Sequence, residues 1–305
     1  MAHLHTDAHR PVPLRTTHRV GRDPSCALVL ADPRVSSEHA IIRYGAGGWE
    51  VKDLGSTNGT RVDGRRLGPG ERALLKAGAT LEFGAAEHRF VLADDAPPQM
   101  CALPDDGGAP VLASGDLLAI PSADAPEATV YAQGGGWFFE GAGADARPVV
   151  DGEVVRAAGR NWALVLPQDF GGTVEDLTLP PHLDDLTLEF AVSRDEEFVT
   201  LTLAHARGRI DLKNRAHHYL LLTLARARQA DLARLPDDPG ERGWVYQDDL
   251  SRMLGSDDAK IYLEVFRARR QLADAGVLEA ARIVERRNST RQIRIGTERF
   301  VVRGA

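Results

Sequence analysis

VGRDPSCALVLADPRVSSEHAIIRYGAGGWEVKDLGSTNGTRVDG, residues 20–64, is the stretch from which the fold can be read. Four polar signals stand in it in order: Gly21-Arg22, then Ser36-Ser37-Glu38-His39, then Asp53-Leu54-Gly55-Ser56-Thr57-Asn58-Gly59-Thr60, then Val62-Asp63-Gly64. Apolar runs of strand length, residues 27–30, 40–44 and 49–52, separate them. Polar groups in turns and apolar groups in strands predict a β-sandwich that carries a binding site on loops at one end of a rigid scaffold. A lone Gly-Arg or Asn-Gly is an ordinary turn; four such signals in fixed order are not.

The set resembles the forkhead-associated (FHA) domain, a phosphothreonine-peptide reader, over about the first third of the chain. A phosphate near charge −2 calls for a guanidinium fork, hydroxyl donors and free backbone N–H groups presented by turns. The resemblance implies that Arg22 and Ser36 contact the phosphate, that Asn58 hydrogen-bonds the peptide backbone, and that Thr57 completes the pocket wall. Ser37 belongs to the same phosphopeptide-binding set. Gly21, His39 and Gly59 are implied in structural roles: room at the turn, a brace behind the loops, and a positive-φ turn position. Ser37 and Glu38 depart from the arginine or asparagine that family members often carry there, so weaker phosphate binding is expected.

At 305 residues the chain has room for two or three domains. Its 43% hydrophobic and 27% charged residues are those of a globular protein, and no run reaches the ~20 apolar residues of a membrane span. A cytoplasmic location with no membrane contact is therefore expected. Cys26 and Cys101 lack metal or disulfide-scaffold spacing, and His3, His5 and His9 read as part of a solvated tail, so no metal and no cofactor are expected. No GxxxxGK[ST], HExxH, GxSxG or kinase motif occurs, so no catalytic residue is assigned and a binding protein rather than an enzyme is expected.

Composition divides the chain into a flexible tail (1–13), the FHA-like domain (14–95), a Pro/Asp/Gly linker (96–110), a small β-unit (111–168), a second linker (169–184) and a C-terminal domain (185–305). Gly135-Gly136-Trp137 precedes Val150-Asp151-Gly152 by the interval that separates Gly47-Gly48-Trp49 from Val62-Asp63-Gly64. This echo predicts a second, degenerate FHA-like unit. The counterpart of Ser56 to Thr60 is Ala144-Asp145-Ala146-Arg147-Pro148, so no phosphate site is expected there.

Beyond residue 184 the pattern predicts strands at 186–192, 198–203 and 209–212, helices at 216–232, 247–254 and 258–275, and a closing hairpin, 281–286 with 292–295. That order resembles the winged-helix effector domain of OmpR/PhoB-type response regulators, an α+β fold whose third helix enters the DNA major groove. The resemblance implies Lys260, Arg267, Arg270, Arg286, Arg287 and Arg291 as phosphate-backbone contacts on duplex DNA. The usual Gly-x-Gly-Tyr of the wing is absent. Residues 97–183 carry 3 basic against 12 acidic side chains and residues 259–305 carry 11 against 5. This asymmetry fits a polyanion-binding face, an internal electrostatic contact in which the acidic middle partly covers the basic end, or a solvated arginine-rich surface, and charge alone does not choose among them. Two functions stay open: a phospho-responsive transcriptional regulator, and a phospho-dependent scaffold whose winged helix contacts protein. In both, the partner is a Thr-phosphorylated protein or peptide, the substrate of an upstream Ser/Thr kinase.

Overall fold

The computed structural model describes residues 2–6, 9–45, 47–141, 144–167, 181–206, 208–232, 234–235 and 237–304. The chain divides into two compact units, residues 1–100 with 165–172, and residues 101–164 with 173–305. In the first unit eleven strands follow in order: β1 (His3–Thr6), β2 (His9–Pro13), β3 (Thr17–Gly21), β4 (Leu28–Val29), β5 (Ala40–Gly45), β6 (Gly48–Asp53), β7 (Thr60–Val62), β8 (Arg65–Arg66), β9 (Arg72–Leu75), β10 (Thr80–Phe83) and β11 (Arg89–Asp94). They form a six-stranded sheet in the order β2-β1-β11-β10-β7-β8 and a five-stranded sheet in the order β4-β3-β5-β6-β9. Period-two alternation aims Trp49 and Val51 of β6, and Leu81 and Phe83 of β10, into one core with Leu4, Ile42 and Phe90.

The expected flexible tail is instead the edge of that sheet. Leu4 is fully buried, β1 pairs with β11, and the Leu14 N–H donates to the Ala2 carbonyl at 2.9 Å. Pro11 and Pro13 suggested a disordered start, yet they lie on β2, an edge strand, where a missing outward N–H breaks no ladder.

His18, on β3, is an inward-facing polar residue in this core, 2% exposed, with neither ring nitrogen hydrogen-bonded. Burial, with the nearby Arg15 charge second, lowers its pKa from 6.5 to about 4. The unfolded chain takes up a proton near 6.5 and the folded domain resists until about 4. Stability present above pH 6.5 is therefore lost as pH falls through that window, by about 3 kcal/mol in all. Urea unfolding of the Trp49-reported transition should show this slope, and His18→Phe should flatten it.

The second unit opens with eight strands: β12 (Cys101–Pro104), β13 (Val111–Leu112), β14 (Leu117–Ile120), β15 (Ala128–Gln133), β16 (Gly136–Gly141), β17 (Arg147–Val149), β18 (Val154–Ala157) and β19 (Arg160–Val165). The expected linker 96–110 thus contains a strand. Met100, Cys101 and Ala102 are buried, an apolar run hidden among Pro, Asp and Gly. The sheet order β13-β12-β19-β18 repeats β2-β1-β11-β10, and β14-β15-β16-β17 repeats β3-β5-β6-β9, with no counterpart of β4, β7 or β8 among the described residues. The Gly-Gly-Trp echo falls on equivalent hairpins, where Tyr44 pairs with Trp49 and Ala132 with Trp137. The other half of the echo does not correspond. Val62-Asp63-Gly64 turns between β7 and β8, whereas Val150-Asp151-Gly152 follows β17, at the place of the β9–β10 turn.

All four residues of β14 are buried, because this sheet is covered on both faces. Leu117, Ala119 and Tyr131 share one core with Leu188, Leu221, Leu272 and Ile283 of the C-terminal part. That part consists of β20 (Thr187–Val192), β21 (Val199–His205), β22 (Gly208–Asn214), α1 (His217–Leu232), β23 (Val245–Tyr246), α2 (Gln247–Leu254), α3 (Asp258–Asp274), β24 (Val284–Arg287), β25 (Gln292–Ile295) and β26 (Phe300–Gly304). Asp257 caps α3 by accepting the Lys260 N–H at 2.8 Å, and Gly255 ends α2 in the left-handed conformation. β26, which the sequence did not reveal, pairs in parallel with β20. Of the expected linker 169–184, residues 169–180 lie outside the described residues; Leu183 is fully buried.

The contact between the acidic middle and the basic end is a buried centre rather than facing surface charges. Glu140 of β16 pairs with Arg269 of α3 at 2.8 Å and with Arg286 of β24 at 3.1 Å. The Arg269 guanidinium also lies over the Tyr131 ring at 5.0 Å and donates to the Val284 carbonyl at 2.9 Å. Burial pushes the Glu140 carboxyl up, but the two guanidiniums outweigh it and hold the group below its ordinary value. A second tether joins the same parts: the Glu279 N–H donates to Asp116 at 2.9 Å, and the Gly134 N–H donates to Glu279 at 2.8 Å.

Candidate functional site

The loops between β3 and β4, between β4 and β5, and between β6 and β7 bring the first three sequence signals together, while the fourth, Val62-Asp63-Gly64, turns between β7 and β8. At position 21 a side chain would put its first carbon 2.1 Å from the Ser37 carbonyl oxygen, so only glycine fits. The chain crosses so closely because the Arg22 N–H donates to the Ser36 carbonyl at 3.0 Å and the Asp23 N–H to the Ser37 carbonyl at 3.1 Å. Arg22 is exposed, and its Nε donates to the Val35 carbonyl at 3.4 Å. Among the described residues no carboxylate pairs with it, so the terminal nitrogens of the fork are available.

Ser36 Oγ accepts the Thr57 N–H at 3.1 Å. That bond uses an oxygen lone pair and leaves the hydroxyl hydrogen to donate outward. His39 is fully buried behind the loops: Nδ1 accepts the Ser36 N–H at 3.2 Å, so the ring proton is on Nε2, which donates to the Gly59 carbonyl at 3.2 Å. Burial lowers its pKa, which keeps this single tautomer neutral. Gly59 has φ +85°, and Asn58 donates through Nδ2 to the Arg34 carbonyl at 2.7 Å. Thr57, Asn58 and Ser37 are exposed, and a groove of about 260 Å³ runs on from Asn58 past Arg61, Glu82 and Gly84.

Asp53 shapes the third loop, and the site reading from sequence passed over it. Its carboxylate accepts from the Gly55 N–H at 2.8 Å, the Ser56 hydroxyl at 2.6 Å and the Thr60 hydroxyl at 2.7 Å. Burial pushes this carboxyl up, but those donors outweigh it and keep the group ionised. The signal was present: an aspartate closing a strand, with Gly and Ser two and three residues on, is an Asx-turn pattern.

Glu38 is exposed and pairs with Arg19 at 3.1 Å, so part of its charge is offset. It lies two residues from Ser36, within about a Debye length of any phosphate bound there. Glu38→Gln is therefore expected to raise phosphopeptide affinity about twofold at physiological salt, and more at low salt. Fluorescence anisotropy at two ionic strengths would measure it.

The residues expected to contact DNA do not assemble into a free basic face. Arg286 is a correction: it is buried against Glu140 and over the Tyr262 ring. Arg287 pairs with Glu241 at 2.6 Å and stacks on Trp244 at 4.2 Å. Arg291 pairs with Asp258 at 2.9 Å, and Arg270 sits near Asp274 at 3.6 Å beside Leu117 and Phe266. Lys260 and Arg267 remain exposed. The arginines of a surface hairpin or helix cannot be told from buried ones by spacing when a neighbouring sheet covers the helix. His217 and His218 are held by Gln271 Oε1, each at 2.7 Å, in the packing between α1 and α3.

Among the described residues no group of three or more His, Cys, Asp or Glu is placed to hold a metal, and no helix is long and apolar enough to cross a membrane. The model of the FHA domain family matches residues 18–84. The chain is similar to the oxoglutarate dehydrogenase inhibitor of Corynebacterium diphtheriae, 35% identical over 77 residues that make up 25% of this chain and 52% of that protein. It is also similar to the FHA domain-containing protein FhaB of Mycobacterium tuberculosis, 46% identical over 44 residues, 14% of this chain and 28% of that one. A solved structure of Mycobacterium tuberculosis EmbR in complex with a low-affinity phosphopeptide aligns at 28% identity over 32% of this chain and 25% of that chain, with a TM-score of 0.29. The curated relatives are spanned over about a tenth to about half of their own length. By the family match and the order of its strands and loops, the chain carries an FHA domain over residues 18–84.

Proposed function

We propose that this chain is a phospho-dependent signalling adaptor, a binding protein rather than an enzyme, whose FHA domain docks Thr-phosphorylated products of a Ser/Thr kinase. The observation that carries the proposal is the donor set at the loop ends. The unpaired Arg22 fork, the Ser36 hydroxyl hydrogen and the Asn58 amide are presented outward on loops locked from behind by His39 and Asp53. Such a set suits a dianion on an extended peptide. Phosphothreonine peptides bind homologous FHA domains, which supports the reading. Among the described residues the β12–β19 unit shows no counterpart of β7 and β8, so in this reading it has no phosphate site and serves as a cover for α3. An array of phosphothreonine, phosphoserine and unphosphorylated peptides probed with the full chain tests the proposal; preference for phosphothreonine is expected, and indifference to phosphorylation refutes it.

For residues 185–305 we propose a winged helix that contacts protein, in a cytoplasmic signalling complex. The burial of Arg286 and the coverage of α3 by β14 and β16 favour this over a DNA reader. Full-length protein should bind duplex DNA no better than a neutral control at low salt. Affinity that falls steeply with log salt, as release of several counterions requires, would restore the DNA reading.

A further inference from the structure

Asn58 is exposed at the end of its loop, where an amide has several rotamers open to it. One of its N–H groups is already engaged, since Nδ2 donates to the Arg34 carbonyl at 2.7 Å. What remains is Oδ1 and a second N–H, an acceptor beside a donor, the complement of one backbone peptide unit. The position of the Arg34 carbonyl therefore sets where that pair points.

The carbonyl is fixed from two directions. Gly84, with φ +76°, passes so close that a Cβ there would lie 2.4 Å from the Arg34 oxygen. The Arg34 side chain pairs with Asp32 at 2.8 Å and with Glu87 at 3.2 Å, while Asp32 also accepts the Arg34 N–H at 2.8 Å and His88 Nε2 at 3.0 Å. Together these contacts tie the β4–β5 loop to the turn before β11. Each is partly exposed and modest alone, but the four contacts are linked through Arg34 and Asp32 and act as a network.

We infer that Arg34 is a positioning residue for peptide recognition: through its carbonyl it orients Asn58, and through Asp32 and Glu87 it holds that carbonyl in place. This rests on the phosphothreonine-peptide reading of the site. The Arg34 guanidinium is engaged by Asp32 and Glu87, so its effect belongs to the peptide backbone and not to the phosphate.

The test uses the full chain with two probes, a fluorescein-labelled degenerate phosphothreonine peptide library and isopropyl phosphate, a phosphate monoester with no peptide unit. Arg34→Ala is expected to weaken the library about fivefold, the scale of one ionic network, and to leave the small probe unchanged. The loss should vanish in an Asn58→Ala background, and Arg34→Lys should recover part of it. An equal loss in the Asn58→Ala background, or on both probes, overturns the inference. Without ligand, the two side-chain amide protons of Asn58 should be widely separated by NMR in the parent and should converge in Arg34→Ala; unchanged resonances overturn it as well. A parent that binds neither probe contradicts the phosphothreonine reading instead, and the Asn58 resonances still decide whether Arg34 holds the amide.

Discussion

Glu140→Ala is expected to destabilise residues 101–305 by about 3 to 5 kcal/mol, because removing one partner of a buried ion pair leaves the other charge without compensation. Here two charges are stranded, since Arg269 and Arg286 both turn to this carboxylate, with side chains 4% and 9% exposed. Neither can swing to water while α3 and β24 stay packed on β14–β17. Chemical denaturation of the full chain, followed by far-UV circular dichroism, should show the transition of this unit moving to lower urea. The transition reported by Trp49 in the FHA domain should stay in place. Replacing all three residues together by apolar ones of similar volume should recover most of the loss, as such triads can be exchanged for hydrophobic packing. A shift below about 1 kcal/mol for Glu140→Ala would mean that the centre is hydrated and does not join the two parts.

Arg22→Ala is expected to reduce affinity for phosphothreonine peptides by a hundredfold or more. A guanidinium fork on a phosphate makes two charge-assisted hydrogen bonds worth ~1.5 to 3 kcal/mol each, and no other unpaired cation stands on this loop to replace it. Arg22 is exposed, and among the described residues its side chain makes one hydrogen bond, the 3.4 Å bond to the Val35 carbonyl, so stability should change little. Titration calorimetry with a phosphothreonine peptide, alongside thermal unfolding of the same variant, separates loss of binding from loss of fold. Arg22→Lys should recover only part of the affinity, because a point charge does not reproduce the planar fork.

The FHA domain was legible because its loops carry residues that core packing does not explain, and glycine reports close approach directly: Gly21 is where Ser37 crosses. The hidden parts share one physical cause, tertiary burial of residues whose local pattern says solvent. β1 and β2 are polar and proline-bearing, yet Leu4 anchors them. Arg286 reads as a surface charge because its partner Glu140 lies 146 positions away in the chain, 140 against 286. Arg34 was missed for a different reason: its contribution runs through a backbone carbonyl, which any residue possesses. Gly-Gly-Trp falls at matching positions of two hairpins and Val-Asp-Gly does not, since a hairpin tryptophan marks a strand register and a three-residue turn does not.

The claim that residues 18–84 read phosphothreonine is tested most directly by calorimetric titration of the full chain with one peptide in two forms, phosphorylated and unphosphorylated on threonine, at pH 7.5. The account predicts binding of the phosphorylated form alone, weakening as pH falls through the second phosphate pKa near ~6 and the dianion is lost. Equal affinity for the two forms, or binding that Arg22→Ala leaves intact, would contradict it.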